Sequence, residues 1–234
     1  MKRSGPSLRA APFLRTDSAA PAELLTPRQR RELAAIATRV RLPPRKLLYR
    51  EGAPATWIFD CVEGVVKAFR ELPSGKRRVA AFLFPGDIFG LAENGRYVSS
   101  TRTVTAVTLY RIRIDELSTV LRRDSELQFQ IITKLTHALR ESHRRAIVLG
   151  RRDAAGRFAM FLAMLEQHPP FTSGSPIISL PMSRSDIADY LGLSLEAVSR
   201  ATRHLTREGV ISFHDRHTVR IRDRAALDRL VAAI

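Results

Sequence analysis

Hydrophobic positions recur along this chain with two different periods, and the change of period divides it. Between Arg45 and Ile114, short apolar and β-branched runs at 57–59, 62–69, 79–84, 101–108 and 109–114 alternate with polar breaks. The turn formers Glu63-Gly64, Pro73-Ser74-Gly75, Pro85-Gly86-Asp87 and Asn94-Gly95 punctuate them. Many short strands so punctuated predict an all-β sandwich or jelly roll. Ahead of it, residues 26–40 place Leu33, Ile36, Ala37 and Val40 at helical spacing after a Thr-Pro start, which predicts one short helix packed on the β region.

Past residue 114 the period lengthens. Asp115 and Glu116 open a short helix, and a longer one spans 125–149. Along it, Gln128, Ile132, Leu135, Leu139, Ser142, Ala146 and Leu149 follow one another in alternating steps of four and three, a heptad seam with polar interruptions. The plain reading is a helix lying on its own β domain. A narrow stripe on a lone long helix is buried most readily against its own copy, so a homodimer is expected through Ile132, Leu135, Leu139, Ala146 and Leu149. A further helix is expected over 151–167, with Ala154, Phe158, Phe161, Leu162 and Leu165 inward, followed by a Pro/Gly/Ser-rich connection at 168–181.

The segment SRSDIADYLGLSLEAVSRATRHL, 183–205, carries the most specific signal. Ile187, Ala188 and Leu191 mark a first short helix, with Ser183 or Ser185 available to cap it. Gly192 supplies a left-handed turn, Leu193 points inward, and Ser194 caps a second helix whose inner face is Val198, Ala201, Thr202 and Leu205. That leaves Leu195, Glu196, Ser199, Arg200 and Arg203 outside, the first four near the helix N-terminus, where a recognition helix meets base edges. Arg200 can donate a fork to guanine O6 and N7, Glu196 can accept from cytosine N4, and Ser199 or Leu195 can lie near thymine. An ordinary helical hairpin with a solvated face would give the same two-helix pattern. Two β-prone runs at 210–213 and 218–221, flanking His214, Asp215, Arg216 and His217, add a hairpin and make the pattern a winged helix-turn-helix. Its tip would carry Arg216 and two histidines toward phosphates. Ser183, Ser194 and Arg203 are the other expected backbone contacts. The histidines lack further ligands for a metal.

Composition bounds these readings. The 234 residues allow two modest domains, each with its own core, and 44% hydrophobic with 26% charged residues is ordinary globular content, with no run long enough to span a bilayer. Residues 1–25 read as a flexible basic arm of a cytoplasmic protein, since Arg9 and Arg15 interrupt any signal-like apolar stretch. One cysteine, Cys61, excludes an internal disulfide and a cysteine-held iron–sulfur cluster within one chain. The net charge of +16 favours an anionic partner. Residues 1–50 hold 12 basic against 3 acidic side chains and residues 150–234 hold 12 against 9, so charge supports nucleic-acid binding without locating it. No phosphate loop, G-x-S-x-G elbow or clustered His–carboxylate set appears, so no catalytic residue is assigned and an enzyme is not expected.

The order of a β-roll (26–124), a coiled-coil helix (125–149) and a winged helix-turn-helix (150–234) makes an α+β chain. It resembles the Crp/Fnr family of bacterial transcription regulators. The resemblance rests on the Gly86-Asp87-Ile88-Phe89-Gly90 turn, the Arg152-Asp153-Ala154 helix start and above all the E-x-x-S-R match of Glu196 to Arg200. It implies that Glu196, Ser199 and Arg200 read a TTGAT-type half-site in an inverted repeat of double-stranded DNA. It also implies RNA polymerase as a partner, with Lys76, Arg77 and Arg78 on the exposed 73–78 loop as the contact. Cyclic-AMP-binding members use a Glu after the glycine turn and an Arg-Ser pair for the phosphate. This chain has Leu91 there and Tyr97-Val98 at the pair, and an unpartnered buried phosphate would be costly. With neither nucleotide nor cluster, no cofactor is expected and the chain looks like the FixK branch, activators of microaerobic, anaerobic and nitrogen-fixation genes. The alternative is a regulator sensing an unidentified small effector in its β-roll. FixK-type relatives carry, on this resemblance, a cysteine where Ser183 stands. Oxidation of a cysteine there to a sulfinate would set negative charge against a DNA phosphate, which serine cannot do.

Overall fold

The structure is a computed structural model that describes residues 27–150, 153–166, 168 and 176–232. The basic arm expected at 1–25 lies outside the described residues. Helix α1 (Pro27–Ile36) leads into β1 (Ala37–Leu42), β2 (Leu47–Tyr49), β3 (Trp57–Glu63), β4 (Val66–Glu71) and β5 (Arg77–Leu83). The short strands β6 (Ile88–Phe89), β7 (Ala92–Glu93), β8 (Arg96–Tyr97) and β9 (Ser100–Thr103) come before β10 (Val107–Arg113). Then follow α2 (Ile114–Leu121), α3 (Ser125–Gly150), α4 (Ala154–Leu165), β11 (Ile177–Ser179), α5 (Arg184–Leu191), α6 (Leu195–Arg207), β12 (Ile211–Phe213), β13 (Thr218–Ile221) and α7 (Arg224–Ala232).

Two antiparallel sheets, ordered β1-β10-β3-β6 and β2-β9-β4-β5, form the β-roll, and β11-β13-β12 form the wing. The helix expected over 26–40 stops at Ile36, because Ala37–Leu42 pairs with Ile112 through Val107 as an edge strand. Sheet pairing there overrides the helical spacing of Val40. The 62–69 run is cut by a turn at Gly64, whose φ of 87° and proximity to Ala106 leave no room for a Cβ. The boundary expected at 108/109 is a β-bulge inside one strand. The true break lies at 104–106, where the Val104 and Thr105 amides donate to the Val65 carbonyl at 2.8 and 3.3 Å. Asp153 caps α4 by accepting from the Gly156 amide at 2.9 Å. Strand β11 and helix α7 were not foreseen. Three residues give β11 no readable period; its Ile178 pairs with Val219 and is buried in the core.

The expected pair of separate cores is corrected. Phe59, Cys61, Val66, Phe89, Val107 and Leu109 do fill the inside of the β-roll. The outward face of β4 and β5, with Phe69, Val79 and Phe82, joins Phe158, Phe161, Leu162, Ile187, Tyr190, Leu191 and Val198 in one continuous second core. Phe82 packs tilted against Phe161 and Tyr190, with ring centroids 6.1 and 5.1 Å apart. The β-roll and the helix-turn-helix therefore share a buried wall. Truncating Phe161 removes the centre of that wall, so Phe161→Ala should cost about 3–5 kcal/mol in denaturant unfolding. A loss under about 1 kcal/mol would show that the wall is not packed.

Candidate nucleic-acid interface

The helix-turn-helix forms as its capping residues dictate. The Ser183 hydroxyl, and not that of Ser185, accepts from the Asp186 amide at 3.1 Å to start α5. Gly192 ends it in the left-handed region at φ 63°, and a Cβ there would meet the Leu149 Cδ2 at 3.2 Å. The Ser194 hydroxyl then accepts from the Ala197 amide at 3.1 Å to start α6. Val198, Ala201, Thr202 and Leu205 are buried against the shared core. Leu195, Glu196, Ser199, Arg200 and Arg203 are all exposed on one outer face.

That face is polarised along its length. The Glu196 carboxyl is held below the usual carboxylate range by its own backbone amide, by the Ser194 hydroxyl and, further off, by the Arg200 charge. It is thus an ionised acceptor oriented at the helix N-terminus, one turn from the guanidinium donor of Arg200. Arg203 Nε donates to the Ser199 carbonyl at 3.3 Å, which holds its stem along the helix.

The wing tip differs in part from expectation. Asp215 accepts from the His217 amide at 2.6 Å and from the Thr218 hydroxyl at 3.0 Å, closing the turn. His217 Nδ1 lies 3.0 Å from the Leu180 carbonyl, so this exposed histidine also ties the wing to the chain leading into α5. Arg216 and His214 remain exposed at the tip. Among the described residues no cluster of three or more metal-ligating side chains occurs. Sequence reasoning missed Arg184, whose guanidinium lies 4.5 Å over the Phe213 ring and joins the start of α5 to the wing. An isolated Arg-Phe pair 29 positions apart leaves no local pattern to find it by.

The other expected sites divide similarly. Ile132, Leu135 and Leu139 on α3 are 57%, 37% and 56% exposed, and Phe129 at 69% extends the same apolar stripe. Ala146 is exposed as well, and Leu149 is half-buried beside Gly192. Lys76 and Arg78 are exposed near the β4–β5 turn. Arg77 is corrected: it lies in β5 with its guanidinium 3.4 Å from Asp186 and 3.5 Å from Asp189 of α5, turned inward to the helix-turn-helix.

Inside the β-roll, Tyr97 stacks on Tyr49 at 3.8 Å, and its hydroxyl accepts from the Thr56 and Trp57 amides and donates to the Trp57 carbonyl at 3.0 Å. Phe59 stacks between Tyr49 and Phe89, with centroids 5.7 and 5.2 Å away. Leu91 and Val98 present apolar side chains, 41% and 48% exposed. These residues do not fit a cyclic nucleotide: none of Leu91, Tyr97 and Val98 brings a positive charge to a phosphate.

Comparison with known proteins agrees with this architecture. The Crp-like helix-turn-helix domain matches residues 156–230 and the cyclic nucleotide-binding domain residues 39–124. The nitrogen fixation regulation protein FixK of Azorhizobium caulinodans is 32% identical over 216 residues, covering 92% of this chain and 84% of that one. The chain belongs to the Crp/Fnr family of transcription regulators. The transcriptional activatory protein AadR of Rhodopseudomonas palustris is 31% identical over 89% of this chain and 87% of its own. The solved structure of FixK2 from Bradyrhizobium japonicum superposes with a TM-score of 0.75 at 29% identity, covering 85% of this chain and 99% of that one. These likenesses place the chain in the FixK-type branch as a DNA-binding regulator, a family that is not an enzyme class. Among the described residues no helix is long and apolar enough to cross a membrane.

Cys61 is 2% exposed, and burial, with Asp87 and Asp60 nearby, pushes its thiol up to about 12. At pH 8 only about one molecule in ten thousand would then hold the thiolate. Native protein should therefore react with a thiol reagent at pH 8 far more slowly than unfolded protein, and peroxide should leave DNA binding intact. Rapid labelling of the native state, or loss of DNA binding on oxidation, would contradict this.

Proposed function

We propose that the protein is a cytoplasmic, FixK-type transcription activator that binds a TTGAT-type inverted repeat as a homodimer without a cofactor. It would control genes of microaerobic or anaerobic metabolism or of nitrogen fixation, through contact with RNA polymerase. The observation that carries the reading is the exposed Glu196–Arg200 pair on the outer face of a capped, core-anchored recognition helix. Glu196, Ser199 and Arg200 read base edges and Leu195 adds an apolar contact, while Ser183, Ser194, Arg203 and Arg216 hold phosphates. The exposed stripe of Phe129, Ile132, Leu135 and Leu139 supports pairing with a second copy along α3. Two copies so paired would set two recognition helices about one DNA turn apart. Lys76 and Arg78 stay candidates for the polymerase contact; Arg77 does not.

Selection of bound DNA from a random pool should return an inverted repeat of TTGAT-type half-sites. Arg200→Ala should cost about 1–3 kcal/mol and flatten the preference at one guanine, whereas Arg216→Ala should weaken all sequences alike and lower the salt slope by about one. A pool with no common half-site, or an Arg200→Ala selection that keeps the guanine, would refute the reading.

Effector independence is supported by the aromatic stack of Tyr49, Phe59, Phe89 and Tyr97 inside the β-roll and by the missing phosphate partner. Titration with cyclic AMP in a calorimeter should give no binding heat. Saturable binding in the micromolar range would favour the second reading, a regulator whose β-roll takes a small effector.

A further inference from the structure

The second core contains one ionic contact whose cost calls for a purpose. Lys67 projects from β4 and its ammonium donates to the Asp186 carboxylate of α5, the two side chains being 9% and 8% exposed. Removing both charges from water roughly cancels their attraction, so such a pair contributes little net stability compared with two apolar residues. What it does supply is direction. An ammonium held on one carboxylate pins one point of α5 to one point of β4, and further contacts are needed to fix the angle.

Two further cations fix the same helix. Arg77 of β5 reaches Asp186 at 3.4 Å and Asp189 at 3.5 Å. Arg145 of α3 donates to the Ala80, Val79 and Tyr190 carbonyls at 2.7, 2.6 and 3.2 Å, and its guanidinium lies 4.7 Å over the Tyr190 ring. One guanidinium therefore joins the long helix, the β-roll and α5. From α5 the orientation passes to α6 through the Gly192 turn, where Arg157 Nη1 donates to the Leu191 carbonyl at 2.9 Å.

We infer that Lys67, Arg77 and Arg145 are positioning residues for operator geometry: by clamping α5 to the β-roll and α3, they set the separation of the two recognition helices and hence the half-site spacing the protein accepts. This rests on the dimeric, inverted-repeat reading above. The three residues touch no DNA in that reading. Their effect is on which arrangement of half-sites is bound, not on which bases are preferred within one.

The test uses full-length protein and a panel of inverted repeats with the selected half-site and a central spacer lengthened or shortened base pair by base pair. The parent protein should favour one spacing by about tenfold or more, the loss expected when one of two half-sites cannot be engaged. The double variant Lys67→Met with Asp186→Leu removes both buried charges together and should keep its thermal midpoint and its guanine preference. Its spacing preference should fall several-fold, while Lys67→Arg, which keeps the pair, should retain it. Arg77→Gln, at a partly exposed site, should loosen spacing in the same direction and guards against a folding defect in the double variant. If the double variant and Arg77→Gln both keep the parent's spacing preference, the proposal is overturned while the dimeric reading stands. If the parent binds a lone half-site as tightly as the repeat, the dimeric reading fails and takes the proposal with it.

Discussion

The constraint on which the rest of the structure depends is the wall shared by the β-roll and the DNA-reading unit. Phe82 on one side meets Phe161 and Tyr190 on the other, and no solvent layer separates them. Apolar burial of this kind is non-directional in its driving force, and the packed rings supply most of the cohesion. The angle is supplied by polar groups set into the wall: Lys67 on Asp186, Arg77 across Asp186 and Asp189, and Arg145 on three carbonyls. Cohesion and orientation thus come from different residues.

Downstream of that wall, the recognition helix can be nearly all surface. Only Val198, Ala201, Thr202 and Leu205 of α6 are buried and Ala197 is half-buried, so the rest of the helix is exposed. The division of roles follows. Glu196 and Arg200 sit at the helix face suited to base edges, while Arg216, on a wing closed by Asp215, suits phosphates. His217 and Arg184 tie the wing to α5 and the chain leading into it, through the Leu180 carbonyl and the Phe213 ring. The base of the candidate interface is therefore tied together by side-chain contacts even where its tips are exposed.

Much of this was legible in the sequence, and the pattern of failure is physical. Capping serines, the Gly192 turn and the 3.6-residue period of α6 are local features, and each was found where it was expected. The heptad stripe likewise identified the exposed face of α3, apart from Leu149. Long-range partnerships were not legible. The strand β1 was read as helix because its ladder partner lies about 70 residues later, and Arg77 was read as a loop cation because Asp186 is 109 positions away. Asp186 carries no local sign of its role, standing as a first-turn acid of α5. Nothing nearby in the chain marks it as the acceptor for a buried lysine.

In the dimeric reading proposed above, the two recognition helices of the free protein would already be oriented before DNA arrives, while Phe59 and Phe89 pack inside the β-roll. A direct measurement is the distance between the two copies of the proposed dimer, spin-labelled at exposed Glu208 just past the end of α6 through Glu208→Cys in a Cys61→Ser background. One narrow distance distribution that stays the same when operator DNA is added is the expected result. A broad distribution in free protein that collapses to a new distance on DNA would contradict it.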